Sequence, residues 1–361
     1  MSFDKRWLGL ITDPRSGGSD ADWVAGSPVH GFTLPNEFVP VTTADVNQGK
    51  STTDRNNEVV GTRANRAPKA FAADPRLTFE SRAYPGHVKV LLRHALSGAV
   101  TPTGTGPASI TSLFRPTQTD PLKTLQAWVV RESQLDRMSG AYVNTLTINL
   151  AAAEEGTLSA ELWPLYHQIG DLLGSASGVS ATLPTPSYTT DVDTLKLRDC
   201  VVYMNDGATL ALDVSNFSLT FDNGLIDDFE SRYAAGKNVA VIIQSGTTYR
   251  MWYPTRNKIG PQTVSGTIGF SGVRPDQDLL ALLSASQKIV VEASAGPLGT
   301  TPPAKEMFRF TLQKSVWTGG DGPGPLVREG DIRASYDFNA YLDEAVGYDF
   351  TVEYVGTAAL T

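Results

Sequence analysis

Apolar side chains recur along much of this chain at every second position. YVNTLTINLA (142–151) alternates apolar and polar residues, the pattern of a strand with one buried face. Strand-like runs in the first half are GFTLPNEFVPV (31–41), RLTFESRAY (76–84), LQAWVV (125–130) and TLSAELWPL (157–165). The second half offers LKLRDCVVYMN (195–205), TLALDVSNFSLTFD (209–222), NVAVIIQ (238–244), TYRMWYP (248–254) and VSGTIGFSGV (264–273). KIVVEASA (288–295), FRFTLQKSVW (308–317), DIRASYDFNAYL (331–342) and YDFTVEYV (348–355) complete it. Helical spacing is rarer. PGHVKVLLRHAL (85–96) and RPDQDLLALLSASQ (274–287) each carry Pro at or near the start, where the missing N–H costs nothing. PLYHQIGDLLG (164–174) and LIDDFESRYAA (225–235) also read as short helices, and AAAEEG (151–156) and GGDGPGP (319–325) as turns.

These elements recur in order. In each half a strand precedes a long excursion (42–75 and 223–262), followed by a strand, a Pro-started helix and further strands. Pro85 and Pro275 are 190 residues apart, and the strand-plus-helix pairs 77–96 and 267–286 share that offset. This is a repeat of pattern more than of residues, and it predicts two domains of one fold. Residues 1–29, rich in Gly, Ser, Asp and Pro, form an N-terminal arm without a core of its own. Its Trp7 and Trp23 must pack on the arm's own domain or on a neighbouring subunit. The first domain spans 30–173, the small, polar, Pro-containing 174–190 is a linker, and the second domain spans 191–361.

Composition fits this reading. Charged residues are 19% of the 361, hydrophobic ones 41%, and there are 33 Gly and 22 Pro, which favours a β-rich protein with a sizeable core. A net charge of −8 argues against gripping nucleic acid through its phosphates, though not against a surface that DNA slides past. The single Cys200 excludes an intrachain disulfide and a Cys-rich zinc or iron–sulfur site. No apolar run reaches the roughly 18 residues of a membrane span, and Asp13 and Pro14 interrupt the only start that resembles a signal core. The expectation is a mature, intracellular chain.

Motifs that carry chemistry are absent. Gly174-Ser-Ala-Ser-Gly178 has Ala where a nucleophile elbow has Ser, and no phosphate loop, dinucleotide fingerprint, zinc-protease helix or calcium loop occurs. His87 and His94 share a helix face without a local third ligand, and His30 and His167 are isolated. Asp227-Asp228 and Glu154-Glu155 are adjacent carboxylates that point apart. We therefore expect no catalytic residue, no metal and no cofactor. Charge is distributed in blocks. Residues 50–94 hold nine Lys/Arg against four acids, whereas 199–232 and 329–353 each hold seven acids against one Arg. Such blocks are either an accident of the folded state or complementary faces of stacking copies. The basic candidates are Lys50, Arg55, Arg63, Arg66 and Lys69 on the first excursion, and the acidic ones Asp227, Asp228, Glu230, Asp343 and Glu344.

GFTLPNEFVPV followed by a polar stretch and then RLTFESRAYPGHVKVLLRHALSG is similar to the tail tube (major tail) proteins of long-tailed, non-contractile bacteriophages. VSNFSLTFDNGL, TVSGTIGF and DLLALL resemble the same family's strand with an Asn-based turn, Gly-started strand and helix. The resemblance implies a mainly β fold with a few short helices, in two similar β-barrel or sandwich domains, each with a flanking helix. It also implies ring assembly without catalysis, in the virion tail, from a chain made in the host cytoplasm. Its partners would be copies of itself, the tape measure and other tail proteins, and transiting DNA read without sequence recognition; no membrane is involved. Two domains per chain favour a trimer with pseudo-six-fold symmetry over a hexamer. The competing readings are another virion part (terminator, decoration or adhesin) and a two-domain β hydrolase using some pair of its carboxylates.

Overall fold

The computed structural model describes residues 6–13, 34–47, 50–53, 69–96, 101–103, 110–114, 122–131, 134–171, 185–186, 188, 193–203, 209–211, 214–227, 239–244, 247–252, 257–270, 286–295, 306–319 and 334–356. The chain enters on β1 (Arg6–Thr12), β2 (Glu37–Val39) and β3 (Val41–Asn47). A hairpin of β4 (Lys50–Thr53) and β5 (Lys69–Ala73) follows, then β6 (Arg76–Arg82) and the helix α1 (Pro85–Ala95). The first half ends with β7 (Thr101–Thr103), β8 (Ile110–Phe114), β9 (Leu125–Arg131), β10 (Gln134–Ala151), β11 (Thr157–Trp163) and β12 (Tyr166–Asp171). The second half runs β13 (Leu195–Tyr203), β14 (Thr209–Ala211), β15 (Val214–Asp222), β16 (Leu225–Ile226), β17 (Val239–Gln244), β18 (Thr247–Trp252) and β19 (Lys258–Ile259). It closes with β20 (Thr263–Phe270), β21 (Gln287–Ala295), β22 (Met307–Gly319), β23 (Ala334–Tyr341) and β24 (Phe350–Gly356).

The strands pair by the same rules in each half. In the first, β3 pairs β6, β6 pairs β11, β11 pairs the C-terminal part of β10, and the N-terminal part of β10 lies between β9 and β12. In the second, β15 pairs β20, β20 pairs β23, β23 pairs the C-terminal part of β22, and the N-terminal part of β22 lies between β21 and β24. β1 on β9 and β2 on β1 match β13 on β21 and β14 on β13. The matching pairs Asn47↔Arg76 and Asp222↔Thr263 close one end of their ladders, which sets Arg76 against Thr263, an offset of 187 (263 minus 76). An even offset such as 190 would put the buried Leu77 in register with the outward-facing Thr267, because a one-residue slip exchanges the two faces of a strand. The pairings leave no gap between the halves, since Thr145–Ala151 of β10 lie against Asn216–Asp222 of β15.

The long strand β10 passes from one sheet into another, pairing β9 and β12 and then β11 and β15, whereas β22 exchanges β21 and β24 for β23 within one sheet. In β10 the corner falls at Gly140, whose φ of +61° is costly for residues with a Cβ, and the β9 ladder breaks register between Met138 and Ala141. The strands enclose one continuous apolar core. It holds Leu8, Leu77, Phe79, Leu146 and Ile148 from the first half and Phe217, Phe221, Phe308, Phe338 and Tyr354 from the second. α1 packs against β10. Its Val88, Leu91, Leu92 and Ala95 form the i, i+3, i+4, i+7 stripe and are fully buried, each Leu contributing roughly 1.5–3 kcal/mol.

Most predicted elements fall within a few residues of these strands and α1. Two differ. PLYHQIGDLLG contains no helix: Tyr166–Asp171 is β12, an edge strand hydrogen-bonded to Gln134–Ser139. Its alternation of Leu165 and His167, both buried, was the informative spacing. LIDDFESRYAA starts as the short strand β16, paired with β19, and its residues 228–235 lie outside the described residues. Part of the N-terminal arm belongs to a sheet of its own chain. Arg6–Thr12 pairs β9 along seven residues, and Trp7, Leu8 and Leu10 are buried. Trp23, the second helix (274–287, apart from Ser286 and Gln287) and most of the 174–190 linker and the GGDGPGP turn lie outside the described residues.

His94 makes the fold acid-sensitive. It is fully buried on α1, its Nδ1–H donates to the Val90 carbonyl at 2.6 Å, and burial lowers its pKa to about 4. The neutral ring is the folded form, so stability is intact above the unfolded value of about 6.5 and falls as pH drops from there toward 4. At pH 5 the expected loss from this one group is about 2 kcal/mol. Urea unfolding at pH 7 and pH 5 checks it: in His94→Met the difference between the two should shrink by about that amount.

Candidate functional site: the polar sheet face and its two edges

β3, β6, β11, the C-terminal part of β10, β15, β20, β23 and the C-terminal part of β22 form one eight-stranded antiparallel sheet. One face lies on the core. The other is built from Thr, Ser, Asn and carboxylates in continuous rows. One row reads Asp45, Thr78, Glu161, Thr145, Asp222, Thr263 from strand to strand. The next reads Thr43, Glu80, Ser159, Thr147, Thr220, Ser265, Asn339, Val316. A third runs Arg82, Thr157, Asn149, Ser218, Thr267, Asp337.

These side chains hydrogen-bond along the rows. Ser218 Oγ donates to Asn149 Oδ1 at 2.7 Å, Asn149 Nδ2 to Thr157 Oγ1 at 3.3 Å, Thr267 Oγ1 to Asp337 Oδ1 at 2.7 Å, and the Thr147 and Thr220 hydroxyls meet at 2.9 Å. Asn144 Nδ2 donates to Glu161 Oε2 at 2.8 Å. Asp45, Glu80, Glu161, Asp222 and Asp337 outnumber Arg82, which pairs with Glu155, and Lys314. Arg76 at one end is held by Asp74 (2.7 Å), by Asp227 (3.1 Å) and over the Trp163 ring. Among the described residues the face is thus hydrophilic, weakly acidic and poor in mobile cations.

Of the candidate stacking residues, the described ones lie at one end of this sheet. Lys50 and Lys69 lie on the hairpin β4–β5, which joins β17–β18 through a parallel contact of Ala72 with Trp252. Arg55, Arg63, Arg66, Asp228 and Glu230 lie outside the described residues. Asp227 belongs to the Arg76 cluster. Asp343 opens the turn between β23 and β24, where its Oδ1 accepts from the Ala345 N–H at 3.0 Å and Gly347 takes a φ of +85°; Glu344 beside it is exposed. Asp227, Asp343 and Glu344 therefore share the end of the sheet from which the hairpins leave. The Glu154-Glu155 turn lies at the opposite end.

Buried ionisable groups serve the fold. His167 Nε2 lies 2.9 Å from Asp136, which also accepts from Arg131 at 3.0 Å and Gln134 at 3.2 Å, and His167 and Asp136 are both almost fully buried. Burial pushes the Cys200 thiol up to about 12, far from a reactive thiolate. Lys89 of α1 reaches across to the second half, donating to Glu306 at 3.2 Å and to the Tyr354 hydroxyl at 3.1 Å; Tyr354 in turn bonds Glu306. Among the described residues no group of three or more His, Cys, Asp or Glu is arranged to hold a metal ion, and no helix is long and apolar enough to cross a membrane.

The described site is a wide antiparallel sheet, hydrophilic on one face and seated on the apolar core by the other, an architecture suited to a structural wall. The family model for phage tail tube proteins matches residues 3–340, and the chain belongs to that family. Searching curated proteins gave no match. The protein is accordingly a structural component of the virion tail, one of a family that assembles into rings, associates with other tail proteins and forms the conduit for DNA ejection.

The Lys89 network predicts a measurable link between the halves. Lys89→Met leaves Glu306 and Tyr354 without their cation, and the expected loss is about 1–3 kcal/mol. Tyr354→Phe, which keeps the ion pair, should cost about 1 kcal/mol. Urea midpoints for the two variants check the order.

Proposed function

We propose that each layer of the tube consists of three copies of this chain, each contributing two similar β units, with the polar face of the eight-stranded sheet lining the bore. The observation that carries this is the sheet itself, polar on one side, apolar on the other and eight strands wide. Strands sit about 4.8 Å apart and tilt by about 40° in a barrel, so three sheets give a 24-stranded barrel of backbone diameter about 48 Å. Side chains narrow this by roughly 10 Å, which leaves room for a DNA duplex. Two copies would leave roughly 20 Å, too tight for hydrated DNA, and six would leave a bore of more than about 80 Å. The units fall near 30–173 and 191–361, with 174–190 between them, and β1 of the arm completes the first. The protein performs no catalysis in this reading, and the almost fully buried His167–Asp136 pair serves the fold.

Rings stack, in this proposal, through the basic excursion. Lys50, Arg55, Arg63, Arg66 and Lys69 extend from one end of the sheet toward an acidic surface of the next ring. Head-to-tail stacking presents the opposite end, where Glu154 and Glu155 stand, as well as whatever acids of 199–232 and 329–353 reach it. Single exposed pairs contribute about 0–1 kcal/mol, so the effect depends on many repeated contacts.

Native mass spectrometry or a tube reconstruction should find three chains per layer; six would overturn the stoichiometry. Arg63→Glu combined with Arg66→Glu should weaken polymerisation, as should high salt on the unmodified protein. Normal tubes from the double variant at low salt would end the stacking role.

A further inference from the structure

We propose that the ring closes by a backbone strand joint between the C-terminal part of β22 in one copy and β3 of the next. The joint has a defined register: Val316 opposite Asn47 and Trp317 opposite Val46 of the neighbouring copy. This rests on the ring reading and specifies its interface.

The argument is the internal repeat. β10 and β22 have matching partners at every position but one. On one edge β10 meets β9 and then β15, and on the other β12 and then β11. On one edge β22 meets β21, and on the other β24 and then β23. Past Ser315, no described strand stands where β15 stands on β10. At the far end of the sheet, β3 pairs β6 along one edge, and among the described residues no strand pairs its other edge. β3 occupies in the first half the place of β15 in the second. The two open edges are therefore the two sides of the β10–β15 joint, separated onto opposite ends of one chain, and a second copy brings them together.

The register follows by transfer. The β10–β15 ladder sets Thr145 against Asp222 and Leu146 against Phe221. Asp222 corresponds to Asn47, because each is the last residue of its ladder with the following strand. Thr145 corresponds to Val316: Thr145 faces Glu161, which faces Thr78, whereas Val316 faces Asn339, which faces Ser265, and Ser265 is the counterpart of Thr78 at the offset of 187. Both transferred pairs keep their faces. Val316 and Asn47 join the polar rows, and Trp317 and Val46 join the core side, where each already packs against the apolar core of its own chain. A register shifted by one residue would expose Trp317 to the bore and bury a polar side chain.

Cysteine pairing in assembled tubes tests this. Val316→Cys with Asn47→Cys, on a chain whose Cys200 is buried, should form an intermolecular disulfide on mild oxidation. Denaturing, non-reducing electrophoresis should then show the chain shifting to a closed covalent trimer. Val316→Cys with Val46→Cys, which sets the thiols on opposite faces, should stay monomeric. Hydrogen exchange on the unmodified protein gives a second readout. The amides of residues 41–47 and 316–319 should become protected in tubes relative to dissociated subunits. Tubes seen by electron microscopy without cross-linking or protection overturn the joint and leave the tube reading intact. Cross-linking that runs on to a closed hexamer supports the joint and overturns the three-chain layer. Failure of the unmodified protein to form rings overturns both.

Discussion

Each strand in a sheet carries two rows of backbone donors and acceptors, and the organisation of this protein depends on how those rows are filled. β10 shows the solution most clearly. Over 18 residues it passes from one sheet to another at Gly140 and takes four neighbours, β9 and β12 before the corner, β11 and β15 after it. Because β15 belongs to the second half of the chain, this one strand joins the two halves into a single continuous hydrogen-bonded network. The core follows the same course, running without interruption from Leu8 to Tyr354.

A sheet whose free face is lined with Thr, Ser and Asn resolves a conflict between propensity and solubility. Thr is β-branched, so it favours the extended backbone as Val does, and its hydroxyl satisfies itself along the row, as Thr147 does with Thr220. The face needs no apolar cover and few charges. The carboxylates on it, Glu80 and Asp337 among them, then set the sign of the surface. Polar groups buried elsewhere are matched to partners, as at Asp136 with His167, Arg131 and Gln134.

Much of this was legible in the alternation of single strands. α1 begins at Pro85 as its sequence predicts, and β9, β11, β13, β15, β21 and β24 lie within the runs read as strands. The face of each strand was readable too, since Leu77, Phe79 and Ser81 alternate with Thr78, Glu80 and Arg82. What single-strand patterns do not carry is pairing. β1 hides in a Gly- and Pro-rich stretch and is held by the β9 ladder, and Gln134–Ala141, interrupted by Asp136, Arg137 and Gly140, is extended because β9 and β12 flank it. β12 looks helical in isolation for the same reason. The polar face was invisible because its rows run across strands distant in sequence. The repeat was detectable in the order of elements, but its offset in residues required the ladders.

Joining two units in one chain also changes the energetics of closing a ring. A barrel made from single units has every joint between separate molecules, and each association loses translational and rotational freedom before any contact is made. Here the β10–β15 joint forms within the chain, at an effective concentration set by the connection between the halves. In the three-copy layer proposed above, half of the joints would thereby be present in the folded subunit. The halves are also free to diverge, because symmetry no longer forces them to be identical. α1 with Lys89 on Glu306 and Tyr354, and β8 paired on β24, are contacts from the first half onto the second that brace the internal joint from outside the sheet. In the proposed ring such braces would stiffen the subunit at one joint and leave the other to the contact between copies, so that assembly would be controlled at a single kind of edge.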